Sequence, residues 1–144
     1  MSPRALSPRH LAAVTLVAAV SVVPGSAPVA PHGTADVPVV TLTVHHSQFS
    51  RTRLRVPAGL VRFVVRNTDP IDHELIIGDR SVQDRHERGT EPRHPPRTGE
   101  VTVPAGGTAG TVYVFAPSGS VLFGCHLPGH WAYGMHGEMS VTYG

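Results

Sequence analysis

From Val37 onward the chain alternates short apolar runs with turn residues, and no stretch sustains a period of 3.6. In VPVVTLTV (37–44), Val40, Leu42 and Val44 fall on one side. RLRVP (53–57) predicts a short strand that stops at Pro57-Ala58-Gly59. LVRFVVR (60–66) places Val61, Phe63 and Val65 on one face and Arg62 and Arg66 on the other. NTDP turns the chain, and HELIIG (73–78) opens the next strand. Residues 101–103, TAGTVYVF (108–115), SVLFGC (120–125) and EMSVTY (138–143) follow, separated by PAGG and APSG. Seven or eight strands with closely spaced turns predict an all-β fold, a Greek-key antiparallel sandwich.

Two segments depart from this rhythm. Residues 78–100, GDRSVQDRHERGTEPRHPPRTGE, hold hardly any apolar side chains and cannot bury a hydrophobic face. They predict a polar, mobile surface loop, with a short exposed helix as the alternative. At the other end, Arg4 and Arg9 precede an uncharged run at 11–23, and Pro, Gly, Ser and Ala follow. That is the order of a secretory signal. The run falls short of the roughly 20 residues that span a bilayer. The expected organisation is a signal peptide (or uncleaved anchor) and short linker at 1–35, then one domain at 36–144. The mature domain is expected to be exported (extracellular, periplasmic or cell-surface) and monomeric, without a transmembrane span. Membrane association is expected only if the signal is retained.

Charge adds little once the leader is set aside. Two of the chain's 12 basic residues are Arg4 and Arg9, and the ten that remain balance ten acidic ones. No basic patch suggests nucleic acid as a partner. The single cysteine excludes an internal disulfide, so a lone thiol in an oxidising compartment calls for another role.

That role is suggested by LFGCHLPGHWAYGMHG (122–137), which holds the only cysteine together with three of the ten histidines. Cys125, His130 and Met135 are spaced C-x4-H-x4-M between two predicted strands. Taken singly, a cysteine is usually a small buried hydrophobe, a methionine core filler and a histidine a hydrogen-bonded surface or core residue. Together, thiolate, imidazole and thioether are the soft donors that select copper. A trigonal copper site needs a second histidine, and His73, at the turn-to-strand junction of NTDPIDHELII, can reach the same end of a sandwich. Gly124, Gly129, Gly134 and Gly137 would let backbone approach the metal, and Pro128 would stiffen the return.

The chain resembles the cupredoxins, the small blue-copper sandwich proteins. LRVPAGLVRFVVRNTD, HELII, VPAGGTAGTVYVF and CHLPGHWAYGMHGEMSV carry the resemblance, which covers nearly all of 37–144. It implies one type 1 copper ion with His73, Cys125 and His130 as equatorial ligands and Met135 as the weak axial one. It further implies single-electron transfer between redox partner proteins rather than stand-alone catalysis. Pro128, Gly129 and Trp131 would form part of an apolar docking patch. Many cupredoxins have Asn after the first histidine and Ser or Thr after the cysteine; this chain has Glu74 and His126. A Glu74–His126 hydrogen bond is expected to hold the two ligand segments in register.

Two other functions compete. CHLPGHWAYGM also resembles the last domain of multicopper oxidases, but Gly124 stands where those enzymes need a histidine, and no H-x-H pair occurs. A copper carrier or buffer would use the same ligands without an electron relay. His45, His46, His86, His94 and His136 could add a second metal site, or be solvated surface residues.

Overall fold

Strict alternation in the third apolar run becomes alternation of burial: Val61, Phe63 and Val65 are fully buried, and Arg62 and Arg66 are exposed. The computed structural model describes residues 36–89 and 96–142; the expected leader at 1–35 and His94 lie outside these. In chain order the elements are β1 (Val39–His45), β2 (Gln48–Phe49), β3 (Arg53–Pro57), β4 (Gly59–Asn67), β5 (His73–Gly78) and α1 (Arg80–Glu87). They continue as β6 (Glu100–Val103), β7 (Thr108–Phe115), β8 (Ser120–Gly124) and β9 (His136–Thr142). No helix among the described residues is long and apolar enough to cross a membrane.

The strands form two sheets, β2-β1-β4-β7 and β3-β9-β8-β5-β6, which enclose one core. Leu42, Val44, Phe63 and Val65 from the first sheet share that core with Leu75, Phe123 and Met139 from the second. The expected sandwich is present, with two refinements. The described residues form nine strands, one of only two residues, and pairing is not antiparallel throughout: β1 runs parallel to β4, and β3 parallel to β9. The chain passes from the first sheet to the second between β2 and β3, and β1 and β3 pair with the distant strands β4 and β9. Apolar alternation reports which face is buried, and both pairing directions satisfy it.

The polar 78–100 segment takes the alternative expected for it in part, because residues 80–87 are the helix α1 rather than the favoured loop. Asp79 caps it, its Oδ1 accepting the Val82 N–H at 3.0 Å and the Ser81 hydroxyl at 2.6 Å. Its anchor is a polar side chain. Gln83 is 1 % exposed, and its Nε2 donates to the carbonyls of Ile76, Gly78 and Leu122, each at 3.3 Å. Val82 sits so near Gly78 that a Cβ there would lie 2.6 Å from it. α1 therefore covers the outer face of β5, and β5 is buried at all six positions. Gln83→Leu is expected to destabilise the protein by about 1–3 kcal/mol in urea unfolding, because three carbonyls lose their donor.

Candidate metal centre

The antiparallel register of β5 and β8 pairs Ile76 with Gly124, so the end of β8 arrives beside the start of β5. His73 is the first residue of β5, Cys125 follows the last residue of β8, and His130 lies in the loop before β9. One donor atom from each of these three residues lies within 4.8 Å of the other two. His73 and Cys125 are fully buried, and His130 is partly exposed. Among the described residues this is the one group of three or more histidine, cysteine or carboxylate side chains so arranged.

Backbone bonds close the loop on itself. The Cys125 N–H donates to the Met135 carbonyl at 3.0 Å, and the Met135 N–H donates to the His130 carbonyl at 2.9 Å. Met135 is 1 % exposed and belongs to the same buried cluster as Cys125. The Cys125 Sγ lies 3.3 Å from His130 Nδ1 and accepts the Glu74 N–H at 3.3 Å. The His73 and His130 rings are 5.1 Å apart.

His73 carries the test of fit. Its Nε2 donates to Asp69 Oδ2 at 2.8 Å, whereas its Nδ1 is buried with no hydrogen-bond partner. Burial alone would raise the Asp69 pKa, but amide donors from Ser47 and His46, then His73 itself, outweigh it and hold the carboxyl below its ordinary value. An ionised carboxylate only accepts, so Nε2 of His73 carries a proton, and in that neutral tautomer the orphaned Nδ1 presents a lone pair. A buried lone pair beside a thiol and a second imidazole fits a soft metal ion.

The other two donors are poised differently. Burial pushes the Cys125 thiol up to about 12; amides of Leu127 and Glu74 oppose this, and the charges of Glu74 and Glu87 reinforce it. Burial and the nearby His73 lower the His130 pKa, with Asp69 acting in the opposite sense, so His130 favours its neutral, ligating form.

Asp69 was read from sequence only as part of the NTDP turn. It accepts the amides of His46 and Ser47, both at 2.7 Å, and thereby ties the β1–β2 turn to His73. Those two turn residues have φ of 51° and 55°, a region that non-glycine residues rarely enter. The one sequence signal was a carboxylate four positions before a candidate ligand.

Glu74 and His126 do connect, but through backbone: the His126 N–H donates to Glu74 Oε2 at 3.2 Å. The His126 ring turns instead to α1, with Nε2 at 2.7 Å from Gln83 Oε1 and Nδ1 at 2.9 Å from Glu87 Oε2. Glu74→Ala is expected to weaken copper affinity about tenfold or more in a competition titration, and Glu74→Gln less, since the amide oxygen still accepts.

The remaining sequence candidates divide. Pro128 is exposed, and Gly129 and Trp131 are half-buried. The tight approaches at Gly124 and Gly137 serve neighbouring groups. A Cβ on Gly124 would lie 2.4 Å from the Trp131 ring, and one on Gly137 would lie 2.3 Å from the Thr52 carbonyl. Gly124→Ala is therefore expected to displace Trp131, read as a shift in its fluorescence, and to cost about 1–3 kcal/mol. His45 and His46 are exposed with rings 3.8 Å apart; His86 packs at 5.7 Å from His126; His136 stacks on Trp131.

Solved structures similar to this one include auracyanins. The dithionite-reduced auracyanin of Roseiflexus castenholzii superposes with a TM-score of 0.61 at 21% identity, covering 72% of this chain and 96% of that one. Auracyanin A, a "blue" copper protein from Chloroflexus aurantiacus, gives 0.58 at 18%, covering 72% and 98%. The chain thus has the cupredoxin fold, and one thiolate with two imidazoles is a copper-binding set. By sequence it is similar to the copper-resistant cuproprotein CopI of Rubrivivax gelatinosus, at 34% identity over 84 residues, covering 56% of this chain and 51% of that protein. The CopI of Vibrio cholerae is 38% identical over 82 residues, covering 55% and 48%. The chain spans about half the length of these curated relatives. No protein-family model matches it.

Proposed function

We propose that the protein holds one type 1 copper ion on His73, Cys125 and His130, with Met135 as axial donor, and carries single electrons between redox partner proteins outside the cytoplasm. The observation that supports this best is the buried, partnerless Nδ1 of His73 beside the Cys125–His130 pair. Bound copper supplies a one-electron couple. The chain's own hydrogen bonds fix the donors: Asp69 orients His73, the Glu74 amide points at the sulfur, and the Cys125–Met135 bonds close the loop. Donors held by such bonds need little rearrangement between oxidation states. The outward side of the site, where His130 reaches partial exposure near Pro128, gives a partner access. Electron-transfer encounters of this kind need only a small contact area.

A second reading, copper carriage in metal resistance, is favoured by the names of the curated relatives. The leader at 1–35 serves export under either reading. Optical and paramagnetic spectroscopy of the copper-loaded protein tests the centre: an intense thiolate-to-copper band is expected, and a colourless protein that prefers zinc would refute it. Stopped-flow redox cycling against metal-exchange rates separates relay from carriage, because a relay retains its ion through many cycles and a carrier releases it.

A further inference from the structure

Three aromatic rings form a stack that the metal cluster does not use. His126, bonded directly to Cys125 in sequence, lies 4.8 Å from Trp131 with the ring planes 13° apart. Trp131 lies 4.5 Å from His136 at 25°. His136 is exposed at the start of β9, paired across the ladder with Gly124. The stack is held from two sides. Gln83 and Glu87 of α1 take both ring nitrogens of His126, and Gly124 leaves the space that the Trp131 ring occupies.

We infer that His126, Trp131 and His136 conduct the electron between the Cys125 sulfur and a redox partner at His136, as a second port besides His130. The inference rests on the one-electron copper reading. Electronic coupling decays slowly through bonds and through π-faces in van der Waals contact, and steeply across gaps. Here the path is one residue of covalent chain followed by two ring-to-ring contacts. Pinning His126 to α1 keeps the first contact closed. The transfer is balanced simply: Cu(I) is oxidised to Cu(II), a one-electron oxidant at the surface is reduced, and no bond or proton moves.

The test attaches a bis(bipyridine)ruthenium imidazole complex to His136 of the copper-loaded protein. The singly labelled product is isolated and its label located by peptide mapping. Flash-quench then generates Ru(III), and growth of the thiolate–Cu(II) band times the electron. Trp131→Leu is expected to slow this step about tenfold or more, and Trp131→Phe to stay within about threefold of the parent. The thiolate band and reduction potential should be unchanged in both. A rate in Trp131→Leu within about twofold of the parent, with the band intact, would overturn the port. Where Trp131→Leu does not fold, His126→Leu against His126→Phe makes the same comparison. A parent protein with no thiolate band refutes the copper reading itself, an outcome separate from any change in rate.

Discussion

Cys125→Ser is expected to abolish the thiolate-to-copper band of the loaded protein and, separately, to remove an alkaline instability of the metal-free one. The first effect follows from the loss of the sole soft anionic donor in the cluster. The second follows from the sign of the thiol shift. Burial raises the folded pKa from 9.0 to about 12, so the native state holds its proton more tightly than the unfolded chain. The resulting stability is fully present below pH 9 and is lost as pH rises toward 12, a difference of roughly 4 kcal/mol. Urea unfolding of the metal-free protein between about pH 8 and pH 11 should show this loss, and Cys125→Ser should flatten it. The same shift means that copper must displace a proton from sulfur. Loading at neutral pH should therefore release about one proton per ion in an unbuffered titration.

Asp69→Asn should have the next largest effect. One carboxylate accepts from two turn amides and from the His73 ring, and an amide group in its place turns a donor toward a donor. A loss of about 2–4 kcal/mol in denaturant unfolding is expected, together with a drop of about 10–100-fold in copper affinity as His73 loses its fixed tautomer. The pH dependence supplies a control. The Asp69 pKa is lowered in the fold, so its contribution is present above the ordinary carboxylate range and is lost as pH falls through it. The parent should weaken with acid more than Asp69→Asn does.

Sequence exposed the sandwich because strands such as β4 advertise their buried face, as Val61, Phe63 and Val65 do. It also brought out the triad, since Cys125 and His130 are close in the chain and His73 begins a strand. What it did not show is polar. α1 has no apolar stripe to detect; a buried glutamine holds it by hydrogen bonds to three carbonyls, and periodicity analysis counts such a residue as surface. Asp69 was hidden for the same reason, an acid in a turn being ordinary until its three donors are seen. Glu74 meets His126 through the backbone N–H, and the ring's attachment to α1 depends on a helix that the sequence offered only as the alternative to a loop.

The short spacing between Cys125 and His130 has a consequence for the denatured protein. When the fold melts, His73 drifts away on a long tether, but the thiol and the second imidazole stay five positions apart and still form a small chelate. An ion so leashed also lowers the free energy of the unfolded chain, so copper should raise the melting temperature by less than its affinity for the native protein implies. It should also shorten refolding, which then begins with the metal already aboard.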